Sequence, residues 1–348
     1  MKRLLAMLLT GAVAVSLVAC AAPAAAPAAA PAAPAAEEKE EAPAEETAEA
    51  PAPESKDSYT IGLVLPNVEN SAYVAVMEQF KANVEAEGWE FMFQTAADDG
   101  AAVTAIESMV EAGCDAICAT ADSAREDAFK AASDNGVVMV GFDGECNSAW
   151  KNYVGKNYEQ GYNTGSQAGK WIVEHYGTEE EVKVALLTYT QLEFLIPRDE
   201  GMRAGLADTA PNAVIVNTAE EITVPACVDA VEAFLQADPD LKVVCGFAGF
   251  CGLGAYEVFK AQGLNDGEHG IFSTDGTIEE FNAIKESNGD CYISSTDTGF
   301  TMIGSWMSSD LIAKLKDGTD NGEHTEYWPI DTVTIDNVDE AIAKVSVQ

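Results

Sequence analysis

The feature that most constrains this chain is a regular alternation of short apolar runs with longer amphipathic segments, which begins at Tyr59 and occurs twice. Runs rich in β-branched and aromatic residues predict strands, and apolar residues at helical spacing between them predict helices. Gly88, Gly113 and Gly136 each follow a predicted helix, where a left-handed residue is favoured. The strands predicted in the first series are YTIGLVLP (59–66), WEFMFQT (89–95), DAICAT (115–120) and VVMVGFDG (137–144).

The second series follows a segment, residues 157–177, that predicts a crossover into a new helix. Its predicted strands are VKVALLTYT (182–190), AVIVNT (213–218), LKVVCGF (241–247) and GIFSTDG (270–276). Strands that alternate with helices of about 10–15 residues indicate a parallel sheet covered on both faces. Two successive series therefore predict an α/β fold with two doubly wound parallel-sheet lobes.

One strand in each series ends in Asp-Gly, at Asp143-Gly144 and at Asp275-Gly276. Open α/β sheets bind ligands at the carboxyl ends of their strands, where these aspartates would project. Asp-Gly also forms a plain tight turn, and either dipeptide taken alone favours that interpretation. Two of them at equivalent places in two lobes favour a ligand-binding role.

The amino-terminal segment has the pattern of a secretory signal. Met1-Lys2-Arg3 is basic, residues 4–19 carry no charge, and this apolar run is shorter than the roughly 20 residues of a membrane span. The sequence LVAC (17–20) resembles the lipobox of bacterial lipoproteins, which implies cleavage before Cys20 and acylation of its thiol. Two or more acyl chains would anchor the chain stably to a membrane. Ordinary secretion, with Cys20 incidental, is the alternative.

A spacer separates this segment from the folded part. Residues 21–57 consist almost entirely of Ala, Pro, Glu, Thr and Lys, so they offer little apolar surface to bury, and their prolines interrupt any alanine helix. We therefore predict a signal peptide over 1–19 and a lipidated cysteine with a disordered linker over 20–57. The folded part begins at Ser58 and is long enough for two lobes.

Composition excludes several classes of function. The formal net charge of −39 repels phosphates, so nucleic acid is not an expected partner. Seven cysteines remain after Cys20, an odd number that does not suit a disulfide framework, and none has the two-residue spacing of structural zinc. His175, His269 and His324 lie far apart, and no Gly-x-Ser-x-Gly elbow or P-loop is present. We predict no metal, no cofactor and no enzymatic activity.

From Ser58 to about the carboxyl terminus, the chain resembles the type I periplasmic binding proteins, in particular the ribose and galactose group. The segments that carry the resemblance are IGLVLPNVENSAYVAVMEQF, VGFDG, VGKNYEQGYNTG, PRDEGMRAGL, DPDLKVVCGFAG and IFSTDGT. It implies two lobes joined by three crossover strands that close on one ligand. We expect a first lobe of residues 58–158 with about 297–332, and a second of 159–296 with about 333–348.

The resemblance also implies ligand contacts from both lobes. Asn70 and Tyr73 match an asparagine and an aromatic after the first strand, and Asp143 matches the aspartate that ends the fourth. Arg198 matches an arginine that opens a second-lobe helix, and Asp275 an aspartate after a second-lobe strand. Carboxylates accept hydrogen bonds from two hydroxyl groups, and arginine presents a rigid fork of donors.

Aromatic side chains would cover the apolar faces of a sugar ring, although an aromatic at a strand end more often belongs to the core. The positions considered for this role are Tyr73, Phe142, Trp150 and Phe247. A late glutamine of the family falls near Asp297 or Thr298. Ribose binders have arginine where this chain has Gly144, and an Asn-Asp pair where it has Ala248-Gly249. These departures favour a larger or less polar ligand than ribose.

The sequence thus predicts a monomeric, extracytoplasmic, lipid-anchored solute-binding protein that delivers a small ligand, most simply a sugar, to an ABC permease. A receptor subunit that docks on a sensor protein is an open alternative. Nucleosides, a quorum signal or an amino acid are open alternatives for the ligand.

Overall fold

The computed structural model describes residues 56–66, 70–320 and 322–346. The predicted signal peptide, Cys20 and the linker up to residue 55 lie outside the described residues.

Strands and helices alternate along this part of the chain, as the sequence predicts. The strands are β1 (Thr60–Leu65), β2 (Glu90–Thr95), β3 (Ala116–Thr120), β4 (Val138–Phe142), β5 (Lys151–Val154), β6 (Val182–Thr188), β7 (Ala213–Glu220), β8 (Val243–Gly246), β9 (Gly270–Asp275), β10 (Tyr292–Asp297), β11 (Thr325–Tyr327) and β12 (Asp331–Thr334). The helices are α1 (Ser71–Ala86), α2 (Asp99–Glu111), α3 (Glu126–Asp134), α4 (Asn157–Tyr176), α5 (Ile196–Thr209), α6 (Val224–Ala237), α7 (Gly249–Gln262), α8 (Ile278–Glu286), α9 (Phe300–Asp317) and α10 (Val338–Ser346).

The strands form two six-stranded sheets of matching order. The first sheet runs β11-β5-β4-β3-β1-β2 and is parallel throughout; the second runs β12-β10-β9-β8-β6-β7 and is parallel except for the β10–β12 pair. β4 and β9 occupy the same place in the two orders, so Asp143 and Asp275 follow or end equivalent strands. This architecture confirms the predicted two-lobed α/β fold.

The chain passes between the two sheets three times. It crosses after β5, again between β10 and α9 (which packs on α1), and a third time between β11 and β12. Because Asp331 already pairs with Asp297 in the second sheet, β12 starts before the boundary expected near residue 332. We keep the predicted division into lobes as a proposal, with this last boundary at about residue 330.

Each sheet is covered by apolar side chains on both faces. Two hydrophobic clusters flank the first sheet, and two flank the second. The central strand β3 is buried at every position, which explains why it reads as a continuous apolar run. Full burial of a Leu, Ile or Phe side chain contributes roughly 1.5–3 kcal/mol to folding stability, so these four apolar layers stabilise each lobe.

One close helix contact fixes the position of Arg198. At Gly161 of α4, a Cβ atom would lie 1.9 Å from the carbonyl oxygen of Arg198 in α5. The two helix backbones therefore touch at the point where α4 carries Asn157 and Gln160. Any larger residue at 161 would push Arg198 away from these two side chains.

Within the described ranges, no helix is both long and apolar enough to cross a membrane. The seven cysteines of this part of the chain are buried and form no disulfide. Cys227 and Cys251 come closest, with their sulfur atoms 3.8 Å apart.

Candidate functional site: a cleft between the two lobes

A cavity of about 360 Å³ lies between the carboxyl ends of the two sheets. Its first-lobe wall consists of Pro66, Asn70, Tyr73, Thr95, Ala97 and Phe300. Its second-lobe wall consists of Tyr189, Leu192, Leu195, Arg198, Ile222, Phe247, Ala248, Phe250 and Asp275. This volume lies within the range of small-molecule sites. Five predicted ligand residues, namely Asn70, Tyr73, Arg198, Phe247 and Asp275, are among those that line it.

Arg198 is held at the base of the cleft by hydrogen bonds to four other residues. Its Nε donates to Asn157 Oδ1 (2.8 Å), and one terminal nitrogen donates to Gln160 Oε1 (2.7 Å). The other terminal nitrogen donates to the Phe247 carbonyl oxygen (2.9 Å) and to Asp275 Oδ1 (3.3 Å). Only 3% of the surface of Arg198 is exposed, so Arg198 does not lie on the solvent-facing side of its helix.

Asp275 is the acceptor at the centre of the site. Its φ of 117° lies in the left-handed region, so the backbone turns sharply as β9 ends and directs the carboxylate toward α7. Oδ2 accepts from the Gly249 N–H (3.0 Å) and, across the cleft, from Asn70 Nδ2 (3.4 Å). Burial raises the pKa of Asp275, and the Arg198 guanidinium opposes that shift.

The Gly249 hydrogen bond places Asp275 at the start of α7. Ala248 and Gly249 stand where the ribose-binder pattern has two polar side chains, and Gly249 opens α7. The backbone N–H groups of a first helical turn have no partner within the helix and favour a nearby anion. The Asp275 carboxylate takes that place.

Asn70 and Tyr73 bring the first lobe to the cleft. The Asn70 side chain caps α1, because its Oδ1 accepts from the Ala72 N–H (2.9 Å), while its Nδ2 faces Asp275. The Tyr73 ring packs edge-on against Phe300 and is itself part of the cleft wall. Burial, together with the nearby carboxylates, raises the pKa of Tyr73 well above its usual value, so the hydroxyl stays protonated.

Asp143 lies behind the cleft wall rather than in it. It has a φ of 56° and 1% of its surface exposed, and its Oδ1 accepts from Asn157 Nδ2 (3.4 Å). Among the described residues, no partner hydrogen-bonds to Asp143 Oδ2. Burial raises the pKa of Asp143 to about 7. Asp143 thus supports Asn157, which in turn positions Arg198.

The absence of an arginine after Asp143 also has a steric cause. A Cβ atom at Gly144 would lie 1.9 Å from the Ala121 carbonyl oxygen. No side chain fits in this position of the first lobe. The cleft therefore lacks the cation that ribose binders place here.

The remaining predicted residues lie outside the cleft wall. Phe142 is fully buried in an aromatic cluster with Tyr73, Phe300 and Trp328. Trp150 packs under Lys314 in the first lobe and hydrogen-bonds Asp320.

Asp297 and Thr298 lie at the second crossover. Asp297 ends β10 opposite Asp331, and burial together with that neighbouring charge raises its pKa to about 6. Thr298 is buried and donates to the Asp275 carbonyl oxygen (3.1 Å). Both residues therefore shape the crossover beside Asp275 instead of facing the cavity.

Several apolar wall residues were missed by sequence reasoning. They are Tyr189, Leu192, Leu195, Ile222, Phe250 and Phe300. Tyr189 follows β6, and Ile222 follows β7. Their position after strands of the second lobe could have indicated that they line the cleft. Phe300 comes from α9, whose assignment to the first lobe depends on a crossover that local pattern does not show.

The family model described as a periplasmic binding protein domain matches residues 61–318. The chain belongs to this family. No curated protein matches the chain.

Solved structures of binding proteins have the same fold. A galactofuranose binding protein gives a TM-score of 0.72 at 20% identity, over 83% of this chain and 99% of that one. The periplasmic component of the arabinose ABC transporter from Shewanella sp. ANA-3, bound to α- and β-L-arabinofuranose, gives 0.70 at 22% identity, over 83% and 96%. The myo-inositol binding protein of Caulobacter gives 0.70 at 17% identity, over 85% and 99%.

Proposed function

We propose that this periplasmic binding protein captures a small hydroxylated solute, most simply a sugar or a sugar derivative, and delivers it to an ABC permease. The observation that carries the proposal is the cleft, in which Arg198 and Asp275 from the second lobe face Asn70 and Tyr73 from the first. Charged and amide groups on opposite walls of one cavity are suited to hydroxyl groups that point in several directions.

The chemistry of these groups supports a neutral ligand. The charges of Arg198 and Asp275 offset each other at 3.3 Å, so the part of the wall that the structure describes has no free charge to attract a strongly ionic solute. Hydrogen bonds to charged partners are stronger than those between neutral groups, which favours hydroxyls over the water they replace. The ring of Tyr73 would cover an apolar C–H face.

The ligands of the structural neighbours support the same class. They include galactofuranose, arabinofuranose and myo-inositol, which are all neutral polyhydroxylated rings. A screen of purified protein by thermal shift against monosaccharides, polyols and nucleosides tests the proposal, because a ligand that binds only the folded state raises its stability. Failure of all hydroxylated compounds to shift the melting temperature would contradict it.

Ligand binding should also change the shape of the molecule. Contacts such as Asn70 to Asp275 and Ser123 to Glu193 (2.6 Å) join the two lobes across the cleft opening. A ligand that contacts both walls binds the closed arrangement more tightly than an open one. It therefore shifts the equilibrium toward the closed arrangement. Small-angle scattering should give a smaller radius of gyration with ligand than without, whereas identical profiles at saturation would argue against closure.

We further propose that the chain is tethered through a lipid on Cys20. The proposal rests on the LVAC sequence and the basic, apolar segment before it. Mass spectrometry of the membrane fraction should find an acylated Cys20 at the amino terminus. A secreted product without acyl mass would exclude the tether while leaving the solute-binding proposal intact.

A further inference from the structure

The wall of the cleft combines a few polar residues with a larger apolar part. Asn70, Tyr73, Arg198 and Asp275 are named here the polar end, and the apolar lining residues the apolar end. Of the fifteen lining residues that the structure describes, nine are apolar, and most of these belong to the second lobe, among them Leu192, Leu195, Ile222 and Phe250. A ligand made only of hydroxylated carbons would therefore place several hydroxyl groups against surfaces that offer no hydrogen bond, which costs free energy.

The polar end also has little hydrogen-bonding capacity left for a ligand. Four of the five N–H groups of Arg198 are engaged within the protein, with Asn157, Gln160, Phe247 and Asp275. Both Asp275 oxygens already accept hydrogen bonds, one of them from two donors. This end suits a small hydroxylated group rather than a sugar that is hydrogen-bonded on all sides.

The apolar part of the wall contains a stacked pair of aromatic rings. The rings of Tyr189 and Phe247 have centroids 6.1 Å apart and an angle of 18° between their planes, and Phe250 packs edge-on against Phe247. Ile222, which is 41% exposed, also lines the cavity. A planar apolar ring can extend such a stack by offset stacking.

From these observations we propose that the ligand is a hydroxylated ring that carries an aromatic substituent, as in an aryl glycoside. The hydroxylated ring occupies the polar end at Asn70, Arg198 and Asp275, and the substituent lies against Tyr189 and Phe247. This inference rests on the proposed function, since it names the class of solute for the same cleft.

The test compares matched glycosides by titration calorimetry. D-galactose, L-arabinose and D-ribose are each offered as the free sugar, the methyl glycoside and the phenyl glycoside. At the ligand efficiency of ordinary small molecules, the five additional carbon atoms of the phenyl group predict roughly tenfold tighter binding than the methyl glycoside of the same sugar. Free or methyl sugars that bind as tightly as phenyl glycosides would overturn this inference and leave the proposed function standing.

Two variants locate the effect. Tyr189→Leu keeps an apolar side chain but removes the ring, so affinity for the phenyl glycoside should fall roughly threefold to tenfold, and by a larger factor than affinity for the methyl glycoside. Tyr158→Leu, a 44% exposed aromatic of α4 that does not line the cleft, is the matched control and should change neither affinity. Equal losses for both glycosides in Tyr189→Leu would overturn the inference, and failure of every compound to bind would overturn the proposed function with it.

Discussion

Arg198 is the side chain whose replacement we expect to perturb the molecule most. Methionine at this position keeps a long apolar stem but removes all four hydrogen bonds at 2.7–3.3 Å. It also leaves the Asp275 carboxylate, which is 2% exposed, without its cation. Removal of one partner from a buried ion pair typically costs about 3–5 kcal/mol of unfolding free energy. We therefore expect R198M to fold with a loss of about this size near pH 8.

The loss should depend on pH in a definite direction. Burial raises the pKa of Asp275 even with the guanidinium present, and without it the folded-state pKa rises further. The folded variant then retains a proton at pH values where the unfolded chain, with an aspartate pKa of about 3.9, has lost it. Stability falls as pH rises under this condition, so the deficit of R198M should be smaller at pH 5 than at pH 8.

Urea unfolding followed by circular dichroism at both pH values measures these differences. R203M is the control, because Arg203 lies on the same helix, is 39% exposed and pairs with Asp199, whose side chain is 14% exposed. A partly exposed pair of this kind should contribute less than the buried pair of Arg198 and Asp275. If R198M and R203M were equally stable at pH 8, the network around Arg198 would not have the role that we assign to it.

Three further predictions concern buried groups. The folded-state pKa of Asp143 is raised to about 7, so the wild type should lose stability as the pH rises from about 4 to about 7. Asparagine does not titrate, so this loss should be smaller in D143N, and urea unfolding across this pH range measures the difference. G144A should lower stability by roughly 1–3 kcal/mol, since its Cβ would contact the Ala121 carbonyl oxygen, and an unchanged melting temperature would contradict the steric argument. The seven thiols that follow residue 100 should react with a disulfide reagent at pH 8 only after unfolding, because all are buried and burial raises the pKa of Cys114 to about 11 and that of Cys245 to about 12; rapid reaction of the native protein would show that one of them is accessible.

The sequence predicted most of the central strands because they are buried along nearly their whole length, as in β3 and β8, and it predicted the edge strands β2 and β7 because they are rich in aromatic or β-branched residues. Strand β5 was missed because it has four residues and opens with Lys151, whose charge is compensated by Asp310 and Glu326. β11 and β12 are equally short and polar, and they form only because distant parts of the chain supply a sheet edge. Such strands depend on tertiary contacts that local pattern does not encode.

The position of the cleft was predictable in part from the ends of the predicted strands. Asn70 follows β1 and Asp275 ends β9, and parallel sheets bring such positions to one edge. Asp143 follows the same rule, yet its backbone conformation and the approach of Asn157 place its carboxylate behind the wall. The apolar residues of the second-lobe wall come mostly from loops, with Phe250 in the first turn of α7, and only the assembled fold shows which of their side chains face the cavity.

If both lobes hold one ligand, replacing a cleft residue in either lobe must weaken binding, and titration calorimetry with one variant from each lobe measures this. N70S keeps the α1 cap but removes the amide that faces the cleft, and D275N removes the acceptor charge on the opposite wall. For the tightest-binding compound of the glycoside series, we expect a one-to-one complex with the wild type and a loss of affinity of about tenfold or more in each variant. Wild-type affinity in either variant would show that the ligand does not bridge the two lobes.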